Sequence, residues 1–230
     1  MRFNIHSGHG KQDSKSCGAI GLIKESVENR LVKDEVIALL RKEGHTVYDC
    51  TVDYPSSASD CVSKQVINCN KHIVDLDISI HFNSGRKDPA GDGKTGGVEV
   101  LVYNTTGEKQ EYAKRVCTSV AKLGYTNRGV KVRTDLGYLS KVKNQCILIE
   151  CCFVDDADDI KKYNYKTMAK AIVEGILNKS ITTTPEPQPA KQTYYQVVCG
   201  SFQNKKNAED MKARLEKAGF NGVFLEATTK

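Results

Sequence analysis

The sequence contains no tryptophan, only 7% aromatic residues, and no apolar run of the ~20 residues that a membrane-spanning helix needs. Its first residues, Met1–His6, include neither a long apolar segment nor a small-residue cleavage site, so no export signal is recognised. With 39% hydrophobic and 27% charged residues, the composition is typical of a globular protein rather than of a disordered or membrane protein. We therefore expect no membrane span and synthesis in the cytoplasm.

The nine cysteines are odd in number and irregularly spaced, and no C-x-x-C motif occurs among them. This pattern does not indicate a disulfide scaffold, and we expect mostly reduced thiols. The net charge of +6 is mild, and half of it comes from residues 191–230, which hold seven basic and four acidic residues. A charge of this size does not by itself indicate a nucleic-acid partner, and we predict none.

The segment Leu76–Asn83 (L-D-I-S-I-H-F-N) alternates apolar and polar residues, which predicts a strand with one buried face and one polar face. The polar face carries His81 and Asn83 to the carboxyl end of the strand, directly before a Gly-rich loop at 84–97. Ligands of open α/β sheets gather at the carboxyl ends of the strands, so His81 is a candidate functional residue. The alternative is a surface imidazole at a strand end.

Predicted strands and helices alternate along the first 178 residues. The strands are Arg2–His6, His45–Cys50, Leu76–Asn83, Val98–Tyr103 and Gln145–Glu150, and the helices are Glu25–Glu43, Ala58–His72, Glu108–Leu123 and Tyr165–Asn178. The last strand is an almost continuous apolar run, which is typical of a central strand covered on both faces. The sequence therefore predicts an α/β fold, a layered domain with a largely parallel central sheet flanked by helices.

The composition changes at residues 180–193, where three of the five prolines alternate with polar residues. Such a segment predicts a semi-extended linker. We accordingly predict a catalytic domain at 1–179, the linker at 180–193 and a small C-terminal β-α-β module at 194–230. In this module Tyr194–Cys199 and Gly222–Ala227 are predicted strands, and Lys205–Ala218 is a predicted helix.

Four polar residues lie at the ends of predicted elements. His9, His81 and Glu150 each follow or end a strand, and Glu25 begins a helix. Two imidazoles and a carboxylate with an open fourth position form the ligand set of a catalytic zinc, and a further carboxylate can act as general base. Two alternatives remain open, because Glu25 could simply complement a helix dipole and Glu150 could be a surface charge at a strand end.

Six motifs occur in order: G-H-G (8–10), E-x-x-x-N (25–29), S-I-H-F-N (79–83), G-G-V-E-V (96–100), N-R-G-V-K (127–131) and L-I-E-C-C-F (148–153). Together they resemble the zinc-dependent N-acetylmuramoyl-L-alanine amidases of the family-three type, and among them the endolysins of phages and prophages of Gram-positive bacteria. The resemblance implies that His9, Glu25 and His81 bind Zn²⁺ and that Glu150 is the general base and acid. It also implies a peptidoglycan substrate and action on the cell wall after release by a holin or by host lysis.

Three features depart from the family pattern. His6 stands where many members have Asp, and it could compete as a ligand or as a hydrogen-bond partner. Glu28 lies beside Glu25, although Glu25 keeps the four-residue step to Asn29. Cys151 and Cys152 follow Glu150 where small residues are usual, so a thiolate near the metal is an open alternative.

The C-terminal stretch 194–220 resembles the first half of a SPOR repeat, a peptidoglycan-binding module that recognises glycan strands without stem peptides. Because the family usually has two β-α-β halves, a homodimer through this half module is one way to complete it, and pairing would raise avidity for the wall. Tyr194, Tyr195 and Phe202 are candidates for stacking on sugar faces, as Asn83 is a candidate substrate contact in the first domain. Aromatic residues at alternating strand positions are also common in cores.

The expected function is therefore hydrolysis of the amide between the lactyl group of N-acetylmuramic acid and the first L-alanine of the stem peptide. Three alternatives stay open at this stage. They are a non-catalytic wall-binding protein, a zinc peptidase that cuts within the stem peptide, and a cysteine peptidase that uses Cys151 or Cys152. The last of these would respond to thiol alkylation rather than to chelation.

Overall fold

The computed structural model of the chain describes residues 1–182, 199–220 and 223–225. The chain divides into two units, residues 1–183 and residues 184–230. In the described part of the first unit, the strands are β1 (Arg2–Ser7), β2 (Thr46–Asp49), β3 (Leu76–Asn83), β4 (Val98–Val102), β5 (Asn127–Val132) and β6 (Cys146–Phe153). The helices are α1 (Glu25–Lys42), α2 (Ala58–Cys69), α3 (Lys109–Ala121), α4 (Gly137–Lys141), α5 (Ala157–Lys162), α6 (Tyr165–Leu177) and, in the second unit, α7 (Lys205–Lys217).

The six strands form one sheet in the order β2-β1-β3-β6-β4-β5. β1, β2, β3 and β6 run parallel, whereas β4 is antiparallel to β6 and parallel to β5. The predicted α/β fold with a largely parallel sheet is confirmed. The reversal at β4 brings the beginnings of β4 and β5 to the edge of the sheet where β1, β3 and β6 end.

Helices cover both faces of the sheet. Apolar residues of α1, α3 and α6 form the larger core with one face, which includes Ile78, Ile80 and Ile149. Residues of α2 and α4 pack on the opposite face around Leu101 and Leu148. Burial of these side chains is the main source of stability of the domain, because each fully buried aliphatic side chain contributes about 1.5–3 kcal/mol.

The polar face of β3 is not open along its length. Asp77 and Ser79 are fully buried, because α2 and α4 lie over this face. Asp77 accepts hydrogen bonds from the side-chain amides of Asn4 (2.7 Å) and Asn144 (2.8 Å), which compensates part of the cost of burying a carboxyl group. Apolar and polar residues therefore alternate between the two faces of β3, as predicted. The polar face is not exposed, however, because the strand is buried on both sides.

Four elements differ from the sequence prediction. β6 continues past Glu150 to Phe153, because Cys151 and Cys152 are fully buried and extend the apolar strand. β5 was not predicted as a strand, since only two of its residues N-R-G-V-K-V are apolar and most are exposed at the edge of the sheet. The short helices α4 and α5 were also not predicted, because five or six residues give too little periodicity.

In the second unit, α7 begins after Asn204, whose side chain accepts a hydrogen bond from the amide of Lys206. The predicted strand Tyr194–Cys199 lies outside the described residues except for Cys199, and only residues 223–225 of Gly222–Ala227 are described, without strand structure. The domain limits at 179/180 and 193/194 stay predictions, although Ile181 packs in the core of the first unit. Among the described residues, no helix combines the length and the apolar composition needed to cross a membrane.

Candidate active site

The candidate site lies at the edge of the sheet where β1, β3 and β6 end. His9 follows β1 by two residues, His81 lies on β3, and Glu150 lies on β6. Glu25 is the first residue of α1. In the parallel ladder of β3 and β6, His81 and Glu150 are direct partners, so their side chains project from the same face of the sheet. The four predicted residues therefore meet at one place.

His9, Glu25 and His81 form a compact group. The Oε1 atom of Glu25 lies 3.0 Å from Nδ1 of His81, and its Oε2 atom lies 3.4 Å from Nε2 of His9. The two imidazole rings are 4.8 Å apart between centroids and nearly perpendicular, at 81°. One donor atom from each residue lies within 4.8 Å of the other two. Because two imidazole nitrogens and one carboxylate oxygen are the donors of catalytic zinc sites, this group fits a zinc ion.

Backbone amides hold Glu25 in place within this group. The amide of Phe82 donates to Oε1 (3.0 Å) and the amide of Ala19 donates to Oε2 (2.8 Å). Burial raises the pKa of Glu25, but the hydrogen bond and the charge of His81 outweigh it and leave this pKa below its usual value. Burial lowers the pKa of His9 to about 4. An ionised carboxylate and a neutral imidazole at neutral pH are both ready to donate lone pairs to a cation.

Glu150 lies beside this group in a different environment. Its Oε2 atom is buried and has no hydrogen-bond partner among the described residues. Burial raises the pKa of Glu150 to about 7, in spite of the opposing charge of His81. A carboxyl group with a pKa near neutrality can both accept and donate a proton during one reaction cycle.

An open cleft of about 390 Å³ exposes these side chains. Its lining includes His9, Glu25, His81 and Glu150, together with Gly18, Ala19, Phe82, Asn83 and Ser84. Asn83 therefore borders the site, as predicted for a candidate substrate contact, and its side-chain amide donates to Oε1 of Glu99 (2.9 Å). The Gly-rich loop at 84–97 begins at this rim, where the amides of Gly85 and Lys87 donate to Asp155.

The alternative ligands lie elsewhere. His6 is a fully buried residue of β1 and packs edge-on against Tyr138, at 4.5 Å between ring centroids. Glu28 faces away from the group and accepts a hydrogen bond from the hydroxyl of Tyr163. Neither residue belongs to the three-residue group of donors.

The two cysteines after Glu150 are not placed for catalysis. Cys151 and Cys152 are fully buried in the larger core, and burial raises the pKa of both thiols well above the usual value. The thiolate is the reactive form of cysteine, so neither side chain is prepared to act as a nucleophile. Among the other candidates, Phe202 is exposed in the second unit, and Tyr194 and Tyr195 lie outside the described residues.

Comparison with known proteins supports the chemistry that this geometry suggests. The family described as N-acetylmuramoyl-L-alanine amidase matches residues 4–180, which is well over half of the chain. The chain belongs to this amidase family. A SPOR domain matches residues 191–230.

Individual proteins similar to the chain include an endolysin domain, a sporulation amidase and an uncharacterized protein. The catalytic domain of an endolysin targeting Clostridia difficile has 31% identity and a TM-score of 0.70, covering 79% of this chain and 99% of that one. The sporulation-specific N-acetylmuramoyl-L-alanine amidase of Bacillus subtilis is 23% identical over 230 residues, which are 98% of this chain and 84% of that protein. An uncharacterized protein of Clostridium perfringens is 32% identical over 192 residues, or 82% of this chain. The chain spans about half (55%) of that protein's length.

Four residues of this amidase site were not predicted as functional. Gly8 lies against His81, Gly18 lies against Glu25 and His9, and Glu99 and Arg128 form an ion pair next to Asn83. Gly8, Glu99 and Arg128 belong to the motifs G-H-G, G-G-V-E-V and N-R-G-V-K. These motifs marked the three positions, but the sequence did not indicate what each residue does. Gly18 adopts a positive φ of 73°, which a sequence does not reveal.

We expect Gly8→Ala to weaken the binding of added zinc at the candidate site. A Cβ atom at position 8 would lie 1.9 Å from Nε2 of His81, so the ring would have to move. Disturbing the residues that orient a metal ligand typically costs ~10–100-fold in affinity or activity. Zinc titration and an assay of wall hydrolysis would measure both effects.

Gly137→Ala is the matched control for this substitution. Its added Cβ would meet only the Val62 side chain at an ordinary 3.4 Å, so folding, zinc affinity and activity should stay near those of the wild type. If Gly8→Ala bound zinc as tightly as Gly137→Ala, the close approach of Gly8 would have no part in holding His81.

Proposed function

We propose that the chain is a zinc-dependent hydrolase that cleaves the amide bond between N-acetylmuramic acid and L-alanine in peptidoglycan. His9, Glu25 and His81 hold the zinc, and Glu150 is the catalytic base and acid. The observation that carries the proposal is the meeting of three zinc donors within 4.8 Å beside a carboxyl group on the neighbouring strand. Membership of the amidase family supports the choice of bond.

The residues around the metal have separate tasks. When bound, zinc supplies Lewis acidity that polarises the scissile carbonyl and makes a water molecule more acidic. Glu25 brings the negative charge, and the amides of Ala19 and Phe82 fix the orientation of its carboxylate. His9 and His81 bring imidazole nitrogens from two different parts of the chain.

Glu150 moves the proton in both halves of the reaction. It takes a proton from the attacking water as the oxygen bonds to the carbonyl carbon. The carbon–nitrogen bond then breaks, and Glu150 returns this proton to the leaving amine of L-alanine. The products are a lactyl carboxylate and a free amino terminus. A pKa of about 7 suits both steps, because the group is neither a very weak base nor a very weak acid at neutral pH.

We further propose that the protein acts as a cell-wall lytic endolysin. The similarity to the catalytic domain of an endolysin supports this role, and the SPOR match supports attachment to glycan strands by the second unit. In this role the chain is made in the cytoplasm and reaches the wall after holin action or host lysis. The match of 98% of this chain to a sporulation-specific amidase favours a second candidate role, wall hydrolysis in a sporulating cell. A homodimer through the half module stays a prediction.

Digestion of purified peptidoglycan tests the proposed reaction. We expect new L-alanine amino termini, identified by mass spectrometry, that disappear with a chelator and return with added zinc. Alkylation of thiols should leave the activity unchanged, because Cys151 and Cys152 are buried. Heat-treated protein and buffer serve as controls.

Three outcomes would contradict the proposal in different ways. New ends at another bond would keep the metal site and change the assigned reaction to a peptidase. Inhibition by alkylation without inhibition by chelation would favour a cysteine peptidase. A folded, zinc-loaded protein that cleaves no bond would favour a binding protein without catalytic activity.

A further inference from the structure

A row of charged side chains continues from the reaction centre to the edge of the sheet. Glu150 on β6 pairs with Glu99 on β4, and Glu99 pairs with Gly129 on β5. Paired residues share a face of the sheet, so Glu99 projects beside Glu150. β5 is the edge strand, and its residues Arg128 and Lys131 are exposed.

Arg128 is held in a fixed position at the end of this row. Its Nε atom donates to Oε2 of Glu99 (2.9 Å), and its guanidinium group lies over the ring of Phe153 at 5.1 Å. Glu99 is anchored in turn by the side-chain amide of Asn83. A guanidinium group has five N–H donors, and the ion pair with Glu99 uses the one on Nε. The terminal nitrogens keep donors for a ligand next to Glu99.

Lys131 extends the positive charge along the same strand. It pairs with Leu101, which places it on the same face of the sheet as Glu99. Arg133 also follows on this side, but both oxygens of Asp135 already engage its guanidinium group, at 2.8 and 2.7 Å. Within β5, Arg128 and Lys131 are therefore the two cations that are suited to bind an anion.

We propose that the exposed face of β5 binds the acidic stem peptide of the substrate, with Arg128 and Lys131 as partners of its carboxylates. The inference rests on the proposed function, which fixes where the peptide begins. β5 lies two strand spacings, or ~10 Å, from β6, and the second residue of an extended peptide lies ~7 Å from the first bond. That second residue of the stem is a γ-linked glutamyl residue with a free α-carboxylate, which a preorganised arginine can bind through two parallel hydrogen bonds.

The length of β5 also suits an extended peptide. Six residues of a strand span ~20 Å, and a stem peptide of four or five residues spans at most ~13–18 Å. Basic residues on edge strands have a second use, because they hinder pairing with other chains. The two roles make different predictions for substrate preference.

Two soluble substrates separate these roles. One is an N-acetylmuramoyl tetrapeptide with free carboxylates, and the other is the same compound with its carboxylates amidated. We expect Arg128→Gln to lower kcat/KM for the acidic fragment by ~10-fold or more, and Lys131→Gln by ~3-fold, mainly through KM. For the amidated fragment, both variants should change kcat/KM less than about twofold, since no carboxylate is left to lose.

Two further variants complete the experiment. Lys114→Gln removes the same charge from an exposed lysine of α3, on the opposite face of the sheet, and should not change the preference. Arg128→Lys keeps the charge without the planar fork and should give an intermediate loss.

Each other outcome is decisive. Equal losses on both fragments would mean that Arg128 acts only through Glu99 and Glu150, which overturns the proposed binding surface. Unchanged kcat/KM in both Arg128→Gln and Lys131→Gln would also overturn the proposed binding surface. Protection of the edge strand would then be the remaining role of the two residues. A zinc-loaded wild-type protein that cleaves neither fragment at the L-alanine bond would instead overturn the proposed function.

Discussion

Replacing Glu150 with Gln is expected to lower the rate of wall hydrolysis by ~10²-fold or more while the protein keeps its zinc. The substitution preserves the size and shape of the side chain but removes the carboxylate that we propose as the acceptor of the proton from the attacking water. Glu150 does not belong to the three-residue donor group, so metal binding should not change. Zinc content by elemental analysis and the rate of release of L-alanine amino termini measure the two effects separately.

Glu111→Gln is the matched control for this variant. It makes the same chemical change at an exposed residue of α3, where the carboxylate forms an ion pair with Lys114 on the surface, and should retain full activity. Activity of Glu150→Gln equal to that of this control would discard the proposed role of Glu150. Loss of zinc from Glu150→Gln would instead make Glu150 part of the metal site.

We expect His81→Ala to abolish both zinc binding and activity. The substitution deletes one of three donors and also the hydrogen bond that His81 makes with Glu25. Its effect on zinc affinity should exceed the ~10–100-fold that loss of a supporting residue usually costs. Isothermal titration with zinc measures the affinity, and digestion of peptidoglycan measures the activity.

Thermal unfolding gives an independent readout of the same substitution. A ligand that binds only the folded state raises its stability by ~2.7 kcal/mol when present at 100 times its Kd. Zinc should therefore raise the Tm of the wild type and of His45→Ala, which changes a histidine outside the donor group, but not the Tm of His81→Ala. If zinc raised the Tm of His81→Ala as much as that of the wild type, other residues would have to bind the metal.

Strong periodicity and the end positions of strands made much of the site predictable. β3 was predicted with its exact limits because eight residues alternate strictly, and His81 and Glu150 were identified because parallel strands end at one edge of the sheet. The same rule could not find Glu99 and Arg128. Their strands run in the opposite sense to β6, so these residues arrive at the site from the beginnings of β4 and β5.

Other features of the site could not be predicted because they depend on contacts between residues that are far apart in the sequence. The sequence favoured His9 but left His6, three residues earlier, as a competing ligand. The packing of His6 on β1 against Tyr138 removes it from the site. The sequence also could not show that Gly8 touches His81, since 73 positions separate the two residues along the chain. Close contacts of this kind depend on how β1 and β3 pair, which a single sequence does not specify.

The pairing of His81 with Glu150 has a consequence for how such an enzyme could be redesigned. Both residues lie on inner strands that have neighbours on each side, whereas β5 has a neighbour on one side only. Exchanges on the outermost strand can therefore be accommodated without disturbing the spacing of the reactive groups. New selectivity for wall types could be engineered by grafting alternative versions of residues 127–132 onto an unchanged catalytic frame, much as binding loops are exchanged on a fixed scaffold.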